Sequence, residues 1–177
     1  MEFKFRELRA DEIECRVNTV NENGCTLLLY KDARCDMKIL DETVKPNNWQ
    51  RNHVLINGNL FCNVSIYDED KEEWITKQDV GTESYTEKEK GQASDSFKRA
   101  CFNWGIGREL YTAPFIWIPK EKVNLKEKKL NGKTTITTYD KFIVESILIE
   151  NGVIKALSII NTTMKIRAFL IDNREKK

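Results

Sequence analysis

The sequence predicts an α+β protein: an antiparallel β-sheet packed on one long helix as a β-β-β-α core, with additional C-terminal β-hairpins. Three observations lead there. Runs of strand length with apolar residues at every second position recur along the chain, several of them joined by Asn-Gly. One long segment, 86–104, instead spaces its apolar residues as a helix does. Strands stand before and after that helix and do not alternate with helices, which argues against a parallel βαβ sheet.

Taken in order, residues 3–13 fit a short amphipathic helix. IECRVNTV and CTLLLYK are strand-like runs around the turn Asn21-Glu22-Asn23-Gly24. In DARCDMKILDETV, Ala33, Met37 and Leu40 recur at helical spacing behind Asp32, whose carboxylate suits an N-cap. Pro46-Asn47-Asn48 breaks that helix. Three strand-like runs follow: WQRNHVLI, NLFCNVSIYD and EWITKQDVG. Asn57-Gly58 joins the first two as a tight hairpin, because both residue types tolerate positive φ. In the second run Leu60, Cys62, Val64 and Ile66 alternate with Phe61, Asn63, Ser65 and Tyr67. The acidic stretch Asp68 to Glu73 reads as an exposed turn.

The helix of 86–104 opens with the capping-box pattern Thr86-Glu87-Lys88-Glu89. Ala93, Phe97, Ala100, Cys101 and Trp104 share one face, and Gly105 supplies a C-terminal stop. Pro114 and Pro119 then flank the apolar segment FIWI. Asn131-Gly132 leads from a lysine-rich segment into TTITT, and Asn151-Gly152 joins KFIVESILIE to VIKALSII.

A chain of 177 residues, 40% apolar and 32% charged, suits one domain with a real core. We divide it into a core domain at 1–119 and a basic β-hairpin extension at 120–177, packed on or continuing the same domain. No apolar run approaches the roughly 18 residues of a membrane helix. MEFKFRELRADE has no signal-peptide core, so a cytoplasmic protein is expected, with no membrane partner. Net charge is +1, but it is segregated. Residues 1–119 carry 16 Lys+Arg against 21 Asp+Glu, a net of −5, and residues 120–177 carry 13 against 7, a net of +6. A basic face is therefore compatible with a near-neutral chain.

Catalytic signals are sparse. Cys15, Cys25, Cys35, Cys62 and Cys101 are well separated, with no CxxC, which argues against a disulfide framework or a zinc site and for simple buried thiols. His53 is the only histidine, so a multi-histidine metal site is excluded. No GxxxxGK[ST] occurs, and Gly105-Ile106-Gly107 follows a helix where a dinucleotide fingerprint needs a strand. No cofactor, no metal and no catalytic residue is expected. A metal-dependent nuclease needs converging carboxylates with a nearby lysine, for which Asp79 or Glu83 with Lys77, or the run Glu87-Lys88-Glu89-Lys90, are the candidates, and the latter run reads instead as acids at a helix start.

Lys98 and Arg99 follow core-facing Phe97 on a helix also anchored by Trp104, so their backbone is held rigidly and the two cations can track phosphates. Read from the helix alone, Arg99 pairs with Asp95 four residues back and Lys98 extends to water. Tyr111, Phe115 and Trp117 read as ordinary core, with an intersubunit patch or a base-stacking surface as the other readings.

At this helix the stretch QDVGTESYTEKEKGQASDSFKRACFNWGIGRELY resembles the Rad-fifty-two/Rad-twenty-two family of single-strand annealing proteins and its phage relatives of the Sak type. The resembling features are the strand end Asp79-Val80-Gly81, the segment Ser94-Asp95-Ser96-Phe97-Lys98-Arg99-Ala100 and the ending Trp104-Gly105. Upstream, Arg16, the CTLLLY strand, the DARCDM helix and Asn48-Trp49 match in the same order, so the likeness covers roughly residues 8–112. It implies a three-stranded sheet feeding a long helix. It also implies a ring of subunits that holds single-stranded DNA in a basic groove and anneals complementary strands without ATP, in homologous recombination and DNA repair.

By motif, the groove cations fall on Arg16, Lys98 and Arg99. Two family cations fall on Phe102 and near Asn59, which leaves the groove less basic or draws in Lys88, Lys90, Arg108 or the lysines of 120–133. The implied partners are single-stranded DNA, further copies of the chain, an exonuclease and a single-strand-binding protein, in a bacterial or phage-infected cell. The alternatives are a passive single-stranded DNA-binding protein, a metal-dependent nuclease and a phage or plasmid structural protein that shares only the fold.

Overall fold

The structure is a computed structural model that describes residues 3–82, 88–130 and 133–174. Strands β1 (Glu14–Asn21) and β2 (Gly24–Tyr30) precede helix α1 (Ala33–Val44). Strands β3 (Trp49–Ile56), β4 (Asn59–Asp68) and β5 (Glu73–Val80) lead into helix α2 (Lys88–Trp104). Then come β6 (Ile116–Pro119), β7 (Lys126–Leu130), β8 (Lys133–Thr137), β9 (Phe142–Glu150), β10 (Val153–Asn161) and β11 (Ile166–Asp172). The fold is α+β with antiparallel strands, a long helix packed on a sheet and hairpins toward the C-terminus.

The chain divides into two compact units. The first comprises Lys31–Arg108 and the segment up to Glu7. Here the Asp32 carboxylate caps α1 by accepting from the N–H groups of Arg34 at 2.5 Å and Cys35 at 3.2 Å. The buried face of α1 carries Cys35, Asp36, Ile39, Leu40 and Val44, whereas Ala33 and Met37 are half-buried. Lys45 leaves the helix with φ 69°, and Pro46–Asn48 make a single 3₁₀ turn.

In the three-stranded sheet β3-β4-β5, the tight turn of β3 to β4 falls on Asn57 and Gly58, with φ 51° and 77°. Cys62, Val64 and Ile66 of β4 are fully buried, as the alternation predicts. In the acidic turn, Asp68 itself is buried and accepts from the N–H groups of Asp70 and Lys71, so only the rest of that run is solvated. The helix α2 lies on β4 and β5 with Phe97, Ala100 and Cys101 at zero exposure. Thr86 and Glu87 of the expected capping box lie outside the described residues. Gly105, at φ 100°, ends the helix as expected.

The second unit comprises Leu8–Tyr30 and the chain from Glu109 onward. Its sheet has the order β11-β10-β9-β1-β2-β6, while β7 and β8 form a separate two-stranded ribbon. Cys25, Ile116, Ile118, Phe142, Leu157 and Ile159 are among its buried side chains. The turn of β9 to β10 falls on Asn151 and Gly152 with φ 53° and 74°. The turn expected at Asn131-Gly132 lies outside the described residues, but the strands on either side of it do pair.

Three expectations are corrected. Residues 3–13 are not a helix: only Ala10–Glu12 make one 3₁₀ turn. Phe3 instead meets Trp104 edge-on at 6.0 Å within the first unit, and the Leu8 N–H donates to Glu109 at 2.7 Å within the second. These tertiary contacts outweigh a weak local preference. The division at 119/120 is not where the chain parts, because Glu14 of β1 pairs with Ile143 of β9 and β2 pairs with β6. Finally, Tyr111 and Phe115 are exposed; the core side chains of that segment are Ile116 and Ile118.

Candidate nucleic-acid interface

Helix α2 is fixed to its sheet at several points. Phe97 stacks on Trp49 at 6.1 Å, the Trp104 indole N–H donates to the Val64 carbonyl at 3.0 Å, and the His53 ring donates to the Ala93 carbonyl at 3.1 Å. Gly81 lets the end of β5 run against the helix: a Cβ there would lie 2.2 Å from the Gln92 carbonyl oxygen and 2.7 Å from the Ser96 nitrogen. Successive helical residues point about 100° apart. With Phe97 inward, Lys98 and Arg99 therefore leave α2 about 100° apart, Lys98 near enough to act on Asp36 of α1 and Arg99 toward Asp79 of β5.

Arg99 does not pair with Asp95. Its Nε lies 3.3 Å from Asp79 Oδ1 across on β5, and Asp95 accepts instead from the N–H and hydroxyl of Thr82 at 2.9 and 3.1 Å. Register explains the exchange: Asp79 opposes Cys62 on the helix-facing side of the sheet, so its carboxylate meets α2. The Arg99 side chain stays 41% exposed, enough for its remaining N–H groups to reach a ligand. Lys98 is half-buried, and its charge is felt by Asp36 of α1. Asp36 is wholly buried, and loss of water pushes its carboxyl up to about 6 against the pull of Lys31 and, more weakly, Lys98. Lys31 donates to Asp36 Oδ1, Oδ2 has no partner, and the ammonium lies 4.3 Å from the Phe102 ring. The position where the resemblance expected an arginine thus carries the ring that shields a buried lysine.

Arg108 is committed elsewhere. Its guanidinium donates to the carbonyls of Phe102 at 2.8 and 3.1 Å and Asn103 at 3.1 Å, satisfying the open C-terminus of α2. Lys77 also donates to the Asn103 carbonyl, at 2.9 Å, and lies over Trp104. Lys88 starts α2, and Lys90 is exposed two residues on. Sequence reading missed Arg51, whose guanidinium lies 4.4 Å from the Phe97 ring. The alternation of β3, which sets Arg51 opposite Val64, was the signal available. Arg16 belongs to the second unit. It is exposed on β1 opposite Leu28, at the border of a cleft of about 970 Å³ lined also by Tyr30, Ile143 and Glu145.

The surroundings are poor in reactive groups. Burial pushes the Cys15 thiol up to about 12 and Cys62 up to about 11, and Cys101 well above its ordinary value. Among the described residues, no three His, Cys, Asp or Glu side chains are grouped to hold a metal ion. Among those residues, too, no helix is long and apolar enough to cross a membrane. No family model, curated protein or solved structure matches the chain.

Proposed function

We propose that the protein binds single-stranded DNA through its phosphate backbone and anneals complementary strands without ATP, as an oligomer of the Rad-fifty-two type. One observation carries this reading: two adjacent cations, Lys98 and Arg99, stand on a helix clamped to a three-stranded antiparallel sheet through Phe97, Trp104 and the close approach at Gly81. Annealing requires base edges that remain free to pair, so the strand is best held by its phosphates. Rigid cations on a helix do this without enclosing the bases. Few contacts per protomer suffice when many protomers line one strand, which fits a chain of net charge +1. The resemblance in the segment Ser94 to Ala100 supports the same reading. Arg108 acts as a helix cap in it and not as a phosphate ligand.

The test is titration of a labelled oligothymidylate at several salt concentrations. Lys98→Ala and Arg99→Ala each weaken binding and lower the slope of log K against log salt by about 0.7. Wild-type affinity and slope in both variants would refute the assignment. Arg16→Ala probes the second unit separately, with circular dichroism as the folding control. Accelerated annealing of complementary oligonucleotides, together with an oligomeric native mass, separates an annealing protein from a passive binder.

A further inference from the structure

The ribbon of β7 and β8 is not used by that reading. Residues 120–141 hold seven lysines against Glu121, Glu127 and Asp140, a net of +4. Among the described residues the two strands pair only with each other, while β8 also lies against β1 of the larger sheet. Lys126 and Lys128 are two residues apart and exposed, hence on the same face. Thr137 and Thr135 oppose them and bring no charge, while Glu127 points to the other face. Alternate side chains on a strand stand about 6.8 Å apart, so the two ammonium groups can reach separate phosphates. At the root of the ribbon, Lys126 Nζ lies 5.9 Å from the ring centroid of Tyr139. Tyr139 as a residue is 66% exposed. It borders a cleft of about 510 Å³ with Asn124, Leu125 and Thr163. The carboxylate at this cleft, Asp140, is occupied: it accepts from the Asn124 N–H at 2.8 Å, the Asn124 amide at 3.0 Å and the Asn161 amide at 2.7 Å. These bonds hold the strand exit that presents Tyr139.

We propose that this root is a second contact for single-stranded nucleic acid, with Lys126 and Lys128 on phosphates and Tyr139 stacking a base. Paired cations beside an open aromatic ring are the elements of a sequence-tolerant single-strand platform. An anionic lipid surface would ask for apolar side chains able to enter the headgroup layer, and the lysine face offers threonines. The proposal rests on the single-strand reading above but concerns a different surface.

The experiment titrates full-length protein with fluorescein-labelled dT30, and circular dichroism checks each variant for folding. Lys126→Ala/Lys128→Ala lowers the salt slope by about 1.4, two contacts at about 0.7 each. Tyr139→Ala weakens binding roughly fivefold or more, and Tyr139→Phe retains wild-type affinity. On an oligomer of abasic sites, wild type and Tyr139→Ala bind alike. Ribbon variants that match wild type while Lys98→Ala and Arg99→Ala weaken would overturn this inference and leave the helix site standing. The reverse pattern overturns the helix site and supports the ribbon. Absence of wild-type binding at low salt defeats both. Lysine-dependent capture by phosphatidylserine vesicles, with oligonucleotide binding unchanged in the variants, assigns the ribbon to lipid and overturns the proposal.

Discussion

Asp36 and Lys31 form an ion pair at zero and 1% exposure, and one carboxylate oxygen is left without a partner. Asp36→Ala strands an ammonium in the core and should cost about 3–5 kcal/mol in urea denaturation. Lys31→Met/Asp36→Leu removes both charges and should be close to neutral. The pair also sets a pH dependence. Burial, the largest cause, raises the Asp36 carboxyl to about 6 from 3.8, so the folded protein binds this proton more tightly than the unfolded chain. That stabilisation is fully present below pH 3.8 and is lost as pH rises through about 6. Asp36→Asn should flatten the decline of unfolding free energy over that window, measured by denaturation at several pH values. At the proposed site, Asp79 competes with phosphate for Arg99 across 3.3 Å. Asp79→Asn should therefore tighten oligonucleotide binding severalfold, with a stability cost of about 1 kcal/mol or less because the pair is partly exposed. Lys98 and Arg99 were legible as cations behind a buried Phe97, but the partner of Arg99 was not. Helical spacing offers Asp95, whereas only strand register brings Asp79 to the helix.

At the scale of elements, local rules succeed where a residue acts on its own backbone. Asp32 caps α1, Asn57-Gly58 and Asn151-Gly152 turn with positive φ, and Gly105 ends α2. They fail for residues 3–13, where Phe3 and Leu8 are drawn into contacts within separate units. The join of β5 to α2 depends on Gly81, whose missing side chain leaves room for the Gln92 carbonyl. Backbone atoms there have little freedom to give way, so Gly81→Ala should cost about 1–3 kcal/mol or more. It should also weaken oligonucleotide binding by moving the helix that carries Lys98 and Arg99. A thermal melt and the dT30 titration check this, and unchanged values in both would disprove the tight junction.

For the whole molecule, the question is how sparse contacts add up. If protomers line one strand together, affinity for oligothymidylate should rise steeply once length exceeds one protomer's footprint, and native mass should report a discrete oligomer. A protein that binds as independent monomers shows neither. The sequence by itself determined the α+β class, the three strands that lead into the long helix, the tight turns at Asn57-Gly58 and Asn151-Gly152, and the segregation of charge. Those follow from local backbone preference and from periods of 2 and 3.6 residues, which any short window displays. Only the tertiary structure decided that β1 and β2 join the C-terminal strands in one sheet and that Asp79 holds Arg99. It alone also showed that Arg108 caps a helix and that Lys31 lies buried beneath Phe102. Each of these depends on pairing between residues far apart in the chain, and no local pattern encodes which distant partner is met.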